Sequence, residues 1–223
     1  GKGSLMVSFR RTYLDVVRAL SEPIIPSSKN FFKHTDYYFY DASLKFTHQL
    51  GTKTRLTLSA FGNKDKYSLI DQAYSVSNSM NWTNLAANIS IKHTFTDAFN
   101  ASYSAGTTYY DFKVNAGFNN YYFNLYSGVY DWYQNLDFSH QVNEQIRLKY
   151  GINYTRHTLT PNKIDIDVEK VSFVNNNQFF SNEGSVYFQS EVVLNQKISL
   201  AGGIRQTYFQ HVGPYTHFNR NYE

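Results

Sequence analysis

From Ile146 to Thr155 the chain alternates without a break. Ile146, Leu148, Tyr150, Ile152 and Tyr154 share one parity, and Arg147, Lys149, Gly151, Asn153 and Thr155 share the other. A β-strand points successive side chains to opposite faces, so this segment has one apolar face and one polar face. The pattern returns along the chain. Tyr38, Tyr40, Ala42, Leu44 and Phe46 alternate with Phe39, Asp41, Ser43, Lys45 and Thr47. Leu85, Ala87, Ile89 and Ile91 alternate with Asn84, Ala86, Asn88, Ser90 and Lys92, and Ile198, Leu200, Gly202 and Ile204 with Ser199, Ala201, Gly203 and Arg205. The alternation predicts about nine strands, near 4–13, 36–49, 54–66, 82–94, 98–112, 128–141, 145–158, 184–194 and 197–210, with a tenth beginning after 214.

Two architectures carry this pattern. In a soluble sandwich the apolar parity faces a shared core; in an outer-membrane barrel it faces lipid and the polar parity lines the bore. The connections separate the two. Short turns at Leu50–Lys53, Thr94–Ala98, Gln141–Glu144 and Leu194–Lys197 alternate with long stretches near 14–35, 63–80, 113–128, 159–183 and from 211 onward. All four prolines, Pro23, Pro26, Pro161 and Pro214, fall in the long stretches, as expected of a residue that cannot donate to a ladder. Short turns at one end and long loops at the other are the construction of an outer-membrane barrel.

The aromatic residues agree. Tyr38, Tyr40, Tyr109, Tyr130, Trp132, Tyr154 and Tyr208 fall toward the long-loop ends, and Phe46, Phe95, Phe99 and Phe138 toward the short turns. Between them the apolar parity holds Leu, Ile, Ala and Gly without a charge, where Arg or Lys near the midplane would cost roughly 2–4 kcal/mol. The expected fold is therefore all-β: a transmembrane antiparallel up-and-down barrel, or meander, with Tyr38, Tyr40, Trp132, Tyr154, Phe46 and Phe138 as its lipid-interface aromatics. Ser43, Thr47, Thr57, Ser59, Ser90, Ser102, Ser104, Asn135 and Ser139 occupy the opposite parity. Such small side chains do not fill a narrow lumen and point to a wide bore holding water or a plug.

Composition changes little. Hydrophobic residues are 42% of 223 and mean hydropathy is −0.49, so no helical span is expected, although a spanning strand needs only about 10 residues. Aromatic residues reach 18% with 20 Tyr, which suits interfacial girdles. Cysteine is absent. The net charge of +4 is spread singly among the strands, so no nucleic-acid partner is expected. The chain opens directly into a strand without a signal peptide, which reads as a mature chain or a piece of a longer one.

Four segments carry a family resemblance. Gly3–Asp15 resembles the early barrel strand of TonB-dependent outer-membrane receptors of the Bacteroidetes type. Tyr37–Asp41 with Leu44–Phe46 resembles the following down-strand, Arg55–Gly62 the up-strand after it, and Gly202–Arg205 the Gly-x-Arg strand met later in such barrels. The resemblance implies a barrel of about 22 strands around an N-terminal plug, of which residues 1–223 would be one segment of nine to ten strands lacking the plug and the closing strands. It also implies the partners: outer-membrane lipid, a plug domain, a TonB-type energy-coupling protein and a surface lipoprotein.

Candidate chemistry is sparse. His48, His93 and His140 each precede a short turn on the apolar parity, about 10 Å apart laterally, too far to share a metal; they read as belt residues. Asp41, Lys45, Arg55, Asp131, Asp137, Arg147, Lys149, Glu191 and Arg205 lie on the polar parity and read as a lumen-lining wall, solvated or ion-paired. Arg10 and Arg11 cannot both line the lumen, and an ion pair with Asp15 is expected. Of the four Asn-x-Ser/Thr sequons, at least three follow from alternation alone. No Ser-His-Asp spacing or Gly-x-Ser-x-Gly elbow occurs, so no catalytic residue, cofactor or metal is assigned and no enzyme is expected. Tyr121, Tyr122, Asn176, Phe179 and Phe180, in loops mixing amides with aromatics, are the candidate ligand contacts. The expected function is import of a solute, of siderophore, glycan or peptide class, across the bacterial outer membrane. A small passive porin or adhesin is the alternative, and a barrel-borne hydrolase the second.

Overall fold

The computed structural model describes residues 2–21, 23–24, 35–71, 75–119, 121–168, 171–174 and 178–213. Among the described residues ten strands form one antiparallel sheet: β1 (Gly3–Arg11), β2 (Thr35–Gln49), β3 (Thr54–Asp71), β4 (Val76–Thr96), β5 (Phe99–Phe118), β6 (Tyr121–Gln141), β7 (Ile146–Val168), β8 (Val171–Val174), β9 (Phe179–Asn195) and β10 (Ile198–Gly213). Sequential strands are neighbours throughout, except that the short β8 pairs β7 alone and β9 continues the sheet from β7. This is the expected meander.

On the central strand β4 the apolar half of the alternation is the exposed half. On β4, Leu85, Ile89 and Ile91 are 50%, 42% and 38% exposed, while Asn84, Asn88 and Ser90 between them are half-buried. Among the described residues no hydrophobic side chain is buried in a core. Leu44, Ile89, Leu148 and Ile152 therefore share one outward face and do not converge on a dry interior. A soluble sandwich buries that face; only a hydrocarbon solvent makes this arrangement stable.

The register gives the tilt of the strands. Gln49, at the end of β2, shares a paired row with Arg55, Lys92, Ser102, Asp137, Gly151, Tyr187 and Arg205. Ser102 is three residues in from Phe99, Gly151 five in from Ile146, and Arg205 seven in from Ile198. The row thus climbs about one residue per strand, which at about 3.3 Å per residue and about 4.8 Å between strands is a tilt of about 35°. Transmembrane barrels tilt by roughly 35–45°. On β5 the outward band from Phe99 to Tyr109 then spans about 27 Å along the normal, against an apolar band about 25 Å tall in known barrels.

Several expectations need correction. Within 14–35, irregular by its lack of period two, Leu14–Ser21 is a helix, α1, and Leu14, Val17 and Leu20 recur at helical spacing. The stretches 63–80 and 113–128 are mostly strand: β3 and β4 meet across 72–75, and β5 and β6 across 119–120. Asn119, with φ of 54°, supplies the left-handed residue such a tight turn requires. Pro161 lies inside β7, not in a loop. It sits where Tyr126 pairs Lys163 and Gly128 pairs Thr160, so β7 carries an extra residue there, and Asn162 takes φ of 44°. Proline is tolerated at such a bulge because no ladder bond is lost. The tenth strand expected after 214 lies outside the described residues, as do Pro26 and Pro214.

Candidate functional site: the polar wall and its apolar extension

Paired residues share a face, so the register places every candidate. Asp41, Lys45, Arg55, Asp131, Asp137, Arg147, Lys149 and Arg205 all lie on the polar face. Tyr38, Tyr40, Phe46, Trp132, Phe138 and Tyr154 all lie on the apolar one. At the short-turn end the rings form a chain: Phe95–Phe99, Phe99–Phe138 and Phe138–Tyr150, with centroids 5.3, 6.0 and 5.3 Å apart. His93 and His140 pack edge-on against Phe95 and Phe99, and His48 stacks on Phe46. At the other end Trp132 meets Tyr154 at 6.1 Å. A polar pair lies in the apolar field between these belts. Gln134 faces lipid, and its Oε1 accepts a 2.7 Å bond from the Tyr103 hydroxyl, which removes an otherwise unmet polar group.

The polar face is a hydrogen-bonded wall. Arg205 donates to Asn153 at 3.1 Å and to Ser185 at 3.0 Å. Asn153 donates to Asn135 at 2.8 Å, and Asn135 to Ser104 at 3.3 Å. Lys149 pairs with Glu191 at 2.7 Å. Arg10 pairs with Asp41 at 2.7 Å, the residue directly across the ladder; Arg11 points to the opposite face, and the side chain of Asp15, the expected partner, lies outside the described residues. His157 sits between two carboxylates, Nδ1 2.9 Å from Asp131 and Nε2 3.7 Å from Glu183. Sequence reasoning named Asp131 but missed His157, Glu183, Asn153 and Ser185, because parity assigns a face and register alone assigns a partner.

Two tyrosines lie flat over glycines in this wall. The Tyr187 hydroxyl donates to Asp137 at 2.6 Å, crossing Gly151, where a Cβ would come within 2.8 Å of the ring and 2.5 Å of the Leu136 carbonyl. Arg205 covers Tyr187 with its Cζ 5.1 Å from the ring centroid. Tyr133 likewise crosses Gly106 to reach Asn88. An aromatic ring over a cross-strand glycine restores the packing the glycine lacks.

Beyond the tyrosine belt the polarity of the sheet reverses. Outward positions become Lys64, Lys66, Asp111, Lys113, Asn115 and Lys163, while the inward parity becomes Trp82, Met80, Phe112, Val114, Leu125 and Ile164. Strands β3–β7 therefore rise past the membrane as a flange with its wet side out. Tyr121 and Tyr122 open β6 within this flange, not in a long loop, and Phe179 and Phe180 open β9. Tyr121 and Tyr122 face opposite ways and, with Phe118, Phe123 and Ile166, border an apolar hollow of ≈ 410 Å³. Asn176 lies outside the described residues.

An exposed apolar belt of membrane height, a tilted meander and a polar inner wall define the wall of an outer-membrane β-barrel. Solved receptors share this fold. The chain resembles BauA, the ferric preacinetobactin receptor from Acinetobacter baumannii, with TM-score 0.60 and 13% identity over 80% of this chain and 34% of that one. It resembles Fiu, the ferric-catecholate import receptor from E. coli K12, with TM-score 0.57 and 13% identity over 93% and 44%. Against FyuA, the ferric yersiniabactin uptake receptor from Yersinia pestis, the values are 0.50, 7%, 71% and 28%. The chain thus spans less than half the length of each. No protein-family model and no curated protein sequence matches it.

Proposed function

We propose that this chain is part of the barrel wall of a TonB-dependent receptor that imports a solute across the bacterial outer membrane. One observation carries the reading: the sheet of the described residues has membrane geometry but does not close. Among the described residues β1 pairs only β2, and β10 pairs only β9 beyond it. An open sheet edge in hydrocarbon leaves backbone groups unmet at several kcal/mol each, so further strands must complete the wall. A barrel of about 22 strands supplies them, and its bore accommodates a plug against the polar wall. The likeness to BauA, FyuA and Fiu supports the receptor class, while the Bacteroidetes type rests on the residue motifs alone. The wall itself is non-catalytic in this reading. Energy-coupling protein, plug and surface lipoprotein are its partners.

The test uses the complete polypeptide that carries this chain. Cells should accumulate the cognate solute only when energised, and a protonophore or loss of the coupling protein should abolish accumulation. Conductance to small solutes in planar bilayers without energy would replace the receptor with a porin. Turnover of a solute at the rim would replace it with a hydrolase.

A further inference from the structure

Gln134 is only half satisfied where it stands. It lies on the outward face of β6, seven residues in from the short-turn end at Gln141, while the outward band on β5 runs ten residues, from Phe99 to Tyr109. The three residues between are about 8 Å along the normal at the tilt derived above, and the lower rim is farther. A glutamine side chain is shorter than that, so its amide does not reach water at either rim. The Tyr103 hydroxyl fills one lone pair of Oε1 at 2.7 Å, and among the described residues nothing accepts from the two N–H of the amide. The Thr107 hydroxyl nearby is turned into the ladder, where it donates to the Asp131 carbonyl at 2.9 Å. Two donors thus remain in hydrocarbon, beside a second lone pair on Gln134 Oε1 and the lone pairs of Tyr103 Oη.

An acyl chain offers no acceptor at this depth, but the set is its own complement. Across a two-fold axis along the membrane normal, each amide gives one N–H to the second copy's Gln134 Oε1 and the other to the second copy's Tyr103 Oη. No donor is then left over, and the contact is the same patch on both sides. Shape agrees. Strands β5 and β7 flank β6 at equal distance, so an axis at Gln134 lays β7 of one copy against β5 of the other. Ile152 and Ala105 each lie six residues in from the short-turn ends of their strands, and Tyr154 and Thr107 each lie eight in. The axis therefore sets Ile152, 55% exposed, over Ala105, and Tyr154 over Thr107. Large meets small at both heights, with a polar group as glue between walls that approach closely. We propose that this protein pairs with a second copy of itself in the plane of the outer membrane through the outward face of β5–β7, with Gln134 and Tyr103 at the two-fold. The inference rests on the membrane orientation given above and is independent of what the bore carries.

The experiment places the photo-cross-linking residue p-benzoylphenylalanine in the complete polypeptide, at Ile152 or at Leu44, and irradiates native outer membranes. Wild type is first shown to fractionate with the outer membrane and to give a heat-modifiable band; failure there ends the orientation reading and with it this one. The probe at Ile152 should yield a cross-linked dimer whose joined peptide contains Ala105. The probe at Leu44, also outward but four strands from β6, should yield at least fivefold less dimer. Adding Q134L to the Ile152 probe should lower the dimer at least fivefold with the heat-modifiable band intact. No dimer from Ile152, a joined peptide remote from Ala105, or as much dimer from Leu44 overturns the two-fold. An undiminished dimer with Q134L overturns the role of the amide and with it the proposal.

Discussion

Parity is the property of each side chain on which the rest depends, and it is directly testable on neighbours. Ile89 faces lipid near mid-height, and Ser90 faces the bore. Ile89→Arg should destabilise the assembled barrel by about 2–4 kcal/mol, read as a lowered urea midpoint in lipid, while Ser90→Arg should change it by less than about 1 kcal/mol. Equal costs would remove the distinction between the two faces. Gly151 makes a different claim, about space. An added methyl there meets the Leu136 carbonyl at 2.5 Å and the Tyr187 ring at 2.8 Å; the carbonyl belongs to a ladder and cannot retreat. Gly151→Ala should cost about 1–3 kcal/mol and detach Tyr187 from Asp137. Thermal melting of the folded barrel checks the first, and the quenching pattern of Tyr187 fluorescence in a variant retaining few tyrosines checks the second. Neither close approach can be seen in the chain order, since Gly151 and Tyr187 become neighbours only through the β7–β9 register.

Strands lengthen beyond the membrane because the inward apolar series continues after the outward one stops. In Asp111-Phe112-Lys113-Val114-Asn115-Ala116 the period is still two, but the apolar phase has moved to the other face. That stretch reads as a loop when one looks for outward apolar residues, although its alternation is as regular as that of β7. The bulge at Pro161 and Asn162 does the same work on β7. It shifts parity by one, so that Ile164 and Ile166 face inward after Leu159. Inserting an alanine between Lys163 and Ile164 should turn Ile164 and Ile166 to the outward face and unzip the distal part of β6 and β7. Limited proteolysis then cuts between 160 and 168 at least tenfold faster than in wild type, with the belt-spanning segments still protected. Unchanged protection would mean that the extra residue does not set the phase. Helix α1 is the converse case: its three-residue spacing is present in the chain, in a stretch whose following prolines, Pro23 and Pro26, also mark irregular structure.

For the molecule as a whole, the open edges at β1 and β10 lead to a plain expectation. The 223-residue chain alone in detergent should show no heat-modifiable, SDS-resistant band and no stable conductance, whereas the complete polypeptide should show the band. A sealed barrel from this chain alone would defeat the receptor reading and favour the small porin. The sequence by itself determined which face each residue of a spanning segment takes, where most membrane-spanning segments lie, and that no charge enters the lipid-facing field between the belts. It could do so because period two is a property of local backbone geometry. Only the tertiary structure decided which residues meet across strands, how far the strands outrun the membrane, and that the sheet of the described residues remains open. Those depend on register and on which solvent each height of the wall encounters, and both are set by contacts between segments far apart in the chain.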